Sequence, residues 1–195
     1  MPGVAGTRSV NMSAFPPKII MATQASRRLY AVRNSPIHGR GVFAAAPIAK
    51  GTRIIEYRGM RTDWDEALSR PDSDPDNPFH TFFFELDDGR VIDAGRRGNA
   101  ARWINHSCKP NCKTKEDEDN RVFIYAKRDI GEGDELAYDY NLSVDGGVTR
   151  KEARYFVCRC GAKKCRGTML ADAKGSKKKD KKEKKKNKDR KKDKG

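Results

Sequence analysis

Three thiols stand within eight residues in FVCRCGAKKCRG: Cys158, Cys160 and Cys165. A C-x-C-x4-C run this close, with Gly161 and Gly167 for its turns, reads as a metal site in a reducing compartment, not as a disulfide framework. Structural zinc takes four ligands in a tetrahedron. The run therefore needs a fourth donor from elsewhere, and Cys108, Cys112, His106, His38 and His80 are the candidates. Whatever the body folds into must bring one of them to residues 156–169, because binding energy at such a site is also folding energy. The bland alternative is a set of free thiols on a loose segment.

The body that must do this is smaller than the chain. Residues 174–195 hold 14 Lys/Arg against 4 Asp/Glu and no large apolar residue, which is most of the formal net charge of +15. Such a segment cannot bury enough apolar surface to offset its ordering entropy, and disorder is expected over 171–195. Residues 1–28 contain no acid and four basic residues, Arg8, Lys18, Arg27 and Arg28. A transit peptide has this composition, but a disordered terminus is the simpler expectation. No apolar run approaches the roughly 20 residues that span a bilayer.

Between these ends, short β-rich runs alternate with turn signals. LYAVRNS (29–35), the end of SPIHGRGVF (35–43), TRIIEYR (52–58), RVFIYAKRDI (121–130) and LAYDYN (136–141) read as strands or strand ends. TFFFELDDGRVIDA (81–94) reads as a hairpin turning at Asp88-Gly89. TDWDEALSR (62–70) predicts a short helix capped by Thr62, and PDSDPDNP (71–78) a loop. The expectation is a mostly β fold of small sheets with long functional loops.

One of those loops carries too many reactive groups for one task. RWINHSCKPNC (102–112) places Asn105, His106, Ser107 and Cys108 side by side. His106 and Ser107 with Asp139 suggest a hydrolase triad, but neighbours on an extended chain point apart and no G-x-S-x-G elbow is present.

Five motifs in series resemble the SET-domain protein-lysine N-methyltransferases with a post-SET zinc region. They are GRGVF (39–43), IIEYRG (54–59), IDAGRRGNAARWINHSCKPNC (92–112), GEGDELAYDY (131–140) and CRCGAKKCRG (158–167). No Cys-rich stretch precedes residue 29, so the resemblance is to a compact or bacterial-type member without a pre-SET module. It implies a SET-domain fold of several small β-sheets around a pseudoknot, with short helices and a post-SET zinc knuckle. The implied division is a SET domain over 29–141, a linker over 142–155 and the zinc region over 156–170.

The resemblance also implies the chemistry. S-adenosylmethionine would donate a methyl to a lysine amine and leave as S-adenosylhomocysteine, so no nucleophilic side chain is needed. Tyr140 would be the catalytic tyrosine, Tyr57 would line the lysine channel, and Tyr138 occupies the position that sets methyl count, favouring one methyl. Arg40, Gly41, Arg102, Trp103, Asn105, His106 and Tyr140 would contact the cofactor; Arg40 stands where many relatives carry an aromatic residue. Cys108 would join Cys158, Cys160 and Cys165 on structural zinc, leaving Cys112 a buried thiol. Each tyrosine alone is compatible with ordinary packing; the joint pattern singles them out.

The implied partner is a histone or another basic, nucleic-acid-associated protein. Non-specific DNA contact is one reading of the Lys-rich tail, beside a solubilising terminus, a targeting signal and a methylation substrate, and no membrane partner is expected. The implied setting is intracellular: a nucleus, a nucleoid or cytoplasm, or a host nucleus for a bacterial protein. The rival expectation is a non-catalytic basic chromatin- or DNA-associated module that keeps the fold.

Overall fold

Strands form where β-branched and aromatic residues run together. YAVRN makes β1 (Tyr30–Asn34) and RGVFA makes β2 (Arg40–Ala44), paired antiparallel with Val32 opposite Val42. RIIEY makes β3 (Arg53–Tyr57) and MRT makes β4 (Met60–Thr62). A five-residue helix, α1 (Trp64–Leu68), follows. The chain continues through β5 (Phe83–Glu85), β6 (Val91–Asp93), β7 (Asn105–His106), β8 (Cys112–Glu116), β9 (Val122–Ala126) and β10 (Ala137–Tyr138). Two 3₁₀ turns lie at Ala100–Trp103 and Glu152–Phe156. The computed structural model describes residues 28–70, 77, 79–144 and 146–171. Of the segments expected to be disordered, residues 1–27 and 172–195 lie outside the described residues, as does most of the PDSDPDNP loop.

Among the described residues the strands make four small sheets: β1–β2, β3–β9–β8, β4–β6–β5, and the parallel pair β10–β7. This is the expected mostly β architecture with little helix. Its core is one cluster in which Val42, Ile104, Ile124, Val122 and Leu136 are almost wholly buried. Each such side chain contributes about 1.5–3 kcal/mol of burial. Among the described residues no helix is long and apolar enough to cross a membrane.

The parallel pair positions the site. Ala137 lies opposite Asn105 and Tyr138 opposite His106, and Ser107 N–H donates to Tyr138 O at 3.1 Å. Two-residue strands leave backbone groups in need of partners. The buried Asn111 amide supplies them: its Nδ2 donates to Glu135 O and its Oδ1 accepts from Ala137 N–H, both at 2.8 Å. The NHSC and LAYDY segments are thereby brought side by side.

Three local expectations change. Asp63, not Thr62, caps α1, accepting from Glu66 N–H at 2.7 Å. Thr62 ends β4, and its hydroxyl donates to the Glu66 carboxylate, so the first turn is braced by both residues. CKTKE forms a strand, β8, that Lys and Glu did not advertise. Tyr140 lies beyond the end of β10, so Tyr138 and Tyr140 do not share a regular strand.

Candidate active site

Four aromatic rings line one wall of a cleft of ≈ 820 Å³. Tyr57 ends β3 and is 4% exposed, and its hydroxyl donates to Phe82 O at 3.0 Å. Phe84, on β5, packs 5.3 Å from Tyr57 and 6.5 Å from Tyr138. The Tyr140 ring lies 5.0 Å from Tyr138, and its hydroxyl donates to Ile104 O at 2.8 Å. Burial raises the pKa of Tyr57, Tyr138 and Tyr140 above the usual phenol range, and neighbouring phenols or carboxylates add to it. All three stay protonated at neutral pH. They cannot act as bases; they are neutral polar groups fixed in an otherwise apolar lining.

Asn105 and His106 approach this wall from β7 and face opposite ways, as strand neighbours do. The Asn105 amide Nδ2 lies within hydrogen-bond reach of Glu135 Oε1 (2.7 Å), Arg40 O (3.0 Å), Ser35 Oγ (3.1 Å) and His38 O (3.3 Å). Ser35 also donates to Glu135 at 2.7 Å. This node holds the 35–40 loop against β7. It also explains Gly41, because a Cβ there would sit 2.3 Å from Glu135 Oε1. Gly39, by contrast, has φ +45 and open space beside it, which lets a ligand approach the loop backbone.

The His106 ring serves structure. Nδ1 accepts from Tyr140 N–H at 3.1 Å, and Nε2 lies 3.4 Å from Cys108 Sγ. An Nδ1 that accepts places the proton on Nε2, directed at the sulfur. Desolvation lowers the His106 pKa, with Arg166 adding to it and Asp139 opposing. Ser107 turns away and accepts from Lys109 N–H. A Ser107–His106 nucleophile therefore does not form.

Trp103 closes the other side. Arg102 lies over its ring at 4.5 Å and Arg40 at 5.3 Å, while Phe82 meets it edge-on at 5.1 Å. Arg102 Nη1 donates to Ala94 O at 3.1 Å. Its Nε is buried without a hydrogen-bond partner among the described residues, a donor suited to a polar ligand. The pocket volume, the open loop at Gly39 and this donor suit a nucleoside-sized polar ligand.

The four cysteines converge. Their sulfurs lie within 4.8 Å of one another, with Cys108 3.7 Å from Cys158 and 3.9 Å from Cys165. Zinc–sulfur bonds of about 2.3 Å in a tetrahedron require sulfurs about 3.8 Å apart, so the group can hold such an ion. Desolvation raises the Cys158 thiol. At Cys160 desolvation is outweighed by hydrogen bonds from neighbouring N–H groups and sulfurs, and its pKa falls to about 6. His38 and His80 lie elsewhere, edge to face at 5.2 Å in the cleft wall. Cys112 is 1% exposed at the start of β8, and burial pushes its thiol up to about 11.

Sequence reasoning missed several groups that the geometry ties to the site. Phe84 was hidden within a run of three phenylalanines. Glu135 and Ser35, 100 residues apart, carry no local signal. Asp139 and Arg166 form a bidentate pair, Nη1–Oδ2 at 2.6 Å and Nη2–Oδ1 at 2.8 Å.

A family model for the SET domain matches residues 39–141. The chain is 41% identical over 140 residues to the histone-lysine N-methyltransferase trr of Drosophila melanogaster, covering 69% of this chain and 6% of that protein. It is 36% identical over 144 residues to the human histone-lysine N-methyltransferase 2B, covering 72% and 5%. Against the H3 lysine-4 specific histone-lysine N-methyltransferase of Kluyveromyces lactis it is 37% identical over 145 residues, covering 69% and 14%. The chain thus spans only a small part of these relatives' own length.

Proposed function

The chain belongs to the SET-domain family, and from that premise we propose that it is a protein-lysine N-methyltransferase. Its substrate would be a histone or a similarly basic protein, and its methyl donor S-adenosylmethionine. The observation that carries this reading is the aromatic lining of Tyr57, Phe84, Tyr138 and Tyr140, packed beside β7. The names of the relatives support lysine and histone as substrate class.

When bound, S-adenosylmethionine supplies an activated methyl on a sulfonium. Residues suited to hold it are Arg102, Trp103, the Gly39–Arg40 backbone and the Asn105–His106 strand. Gly41 contributes by letting Glu135 close the node behind that loop. The protein's task is to align an amine, strip its water and present it uncharged. Keeping a free lysine neutral at pH 7 costs about 4.6 kcal/mol against a pKa near 10.4. A wall of buried and half-buried rings lowers that cost by disfavouring the ammonium. The phenol of Tyr140, held by Ile104 O, orients the reacting groups without taking a proton.

This assigns the pH dependence. Activity should rise with pH between about 7 and 9 as substrate lysine loses its proton. No falling limb from tyrosine ionisation should appear in that window, because all three phenols have raised pKa values. Initial rates at saturating donor measure this; a decline centred below pH 9 would assign a tyrosinate to the mechanism.

The test of the reaction is mass spectrometry of histones after incubation with the donor. The expected product is mainly monomethyl-lysine. The Tyr138 hydroxyl, on a buried side chain that lines the cleft, can hold a water and limit rotation of a methylated amine. Tyr138→Phe should therefore shift the product toward two and three methyls. An unchanged distribution would remove Tyr138 from control of methyl count, and no transfer to any basic protein by wild type would remove the reading itself.

A further inference from the structure

Arg166 lies outside the aromatic lining, yet the contacts lead from it to Tyr140. Its guanidinium meets the Asp139 carboxylate in two parallel hydrogen bonds of 2.6 and 2.8 Å. Asp139 stands between Tyr138 and Tyr140. Its Oδ1 also accepts from Asn141 N–H at 3.1 Å, so the backbone on the far side of Tyr140 is gathered onto the same carboxylate. The pair is half-buried, with side chains 20% and 32% exposed. A fork-on-carboxylate pair of this kind fixes orientation as well as distance.

The remaining anchors of Tyr140 are few. Its hydroxyl donates to Ile104 O and its N–H to His106 Nδ1. No regular strand holds it, since β10 ends at Tyr138. Arg166 follows Cys165, and its own N–H donates to Cys108 Sγ at 3.4 Å. One residue thus touches both the sulfur group and the segment that carries the phenol.

We propose that Arg166 is a positioning residue for Tyr140, acting through Asp139, and that this bidentate pair joins the C-terminal knuckle to the phenol independently of the metal. The inference rests on the methyltransferase reading for its kinetic part only. The pair does not touch the reacting atoms; it sets where the Tyr140 backbone, and hence its hydroxyl, sits. A misplacement of about 1 Å at such a group is enough to cost up to about a hundredfold.

The test uses the full chain with Arg166→Met, Arg166→Lys, Asp139→Asn and the double variant Arg166→Met/Asp139→Asn. Amide exchange over residues 138–141 is read first, because it needs no turnover. Each single variant should exchange about tenfold faster there, with zinc per chain unchanged. Lysine should fail to rescue, since it lacks the planar fork. In turnover, kcat should fall about tenfold with little change in the KM for donor, and the double variant should be no worse than either single. Unchanged exchange over 138–141 would overturn the proposal whatever the activity. So would loss of zinc in step with kcat, a raised KM at constant kcat, or a double-variant loss equal to the product of the singles. Faster exchange in a chain whose wild type transfers no methyl would uphold the positioning role and remove the enzymatic reading alone.

Discussion

Tyr140→Phe should lower kcat/KM by about 10²- to 10³-fold, the loss expected when one preorganised polar group is removed from a water-poor site. The substitution keeps the ring, its 5.0 Å packing on Tyr138 and its 5.3 Å edge contact with His106. What disappears is the hydroxyl and its 2.8 Å bond to Ile104 O. That carbonyl belongs to a residue 1% exposed, so leaving it without a donor should also cost about 1–3 kcal/mol of stability. The two effects are separable. Thermal denaturation reports the lost bond, whereas single-turnover methyl transfer reports the lost alignment. Because the phenol stays protonated, the variant should keep the slope of the pH–rate profile and lose only its height. A variant within threefold of wild type in single turnover would show that Tyr140 merely packs. A changed slope would show that its ionisation matters.

Tyr57 also donates to a carbonyl, Phe82 O, and is more deeply anchored in a regular strand. Its hydroxyl is one wall of the lining, not the group whose placement depends on a two-residue strand and a distant ion pair. The fold secures Tyr57 by ordinary sheet pairing, while Tyr140 depends on His106, Ile104 and Asp139.

That difference also explains which parts of the molecule were legible beforehand. TRIIEYR and RVFIYA declare strands because β-branched and aromatic residues cluster in them, and the Asp88-Gly89 turn declares its hairpin. CKTKE does not, since Lys and Glu favour strands weakly; only the alternation of inward Cys112, Thr114 and Glu116 with exposed Lys113 and Lys115 betrays it. β7 and β10 are two residues each and leave no periodic trace. Their pairing is set by tertiary contacts, with the Asn111 amide completing it. The Cys, Tyr and NHSC motifs converge on the cleft and the sulfur group, but side-chain contacts were harder to read. Asn105 and His106, expected at the cofactor, line the cleft, and their side chains also hold the 35–40 loop, Tyr140 and Cys108. Hydrogen bonds that link residues 30 to 100 positions apart have no local signature.

The second large effect concerns the sulfur group. Cys108→Ser should abolish stoichiometric zinc binding and lower activity by about a hundredfold, since breaking supports close to a bound metal typically costs 10–100-fold. A serine hydroxyl does not ionise at neutral pH and does not replace a thiolate ligand. The consequence extends past the sulfur group. Cys108 lies two residues from His106, whose Nε2 points at its sulfur and whose Nδ1 holds Tyr140 N–H. Val157, Cys158, Arg159 and Met169 line the cleft, so freeing residues 156–169 removes a wall from it. Cys112→Ala is the control. That thiol starts β8, points into the core and lies outside the four-sulfur group. Its loss should cost about 1 kcal/mol of stability and leave zinc per chain unchanged. Chelation of wild type should reproduce the Cys108→Ser defect, and added zinc should reverse it in wild type but not in the variant. Equal zinc loss from both cysteine changes would mean that Cys112 is a ligand. Full activity in chelated enzyme would mean that the knuckle holds its place through the Arg166–Asp139 pair and its backbone bridges alone, making the metal dispensable for turnover.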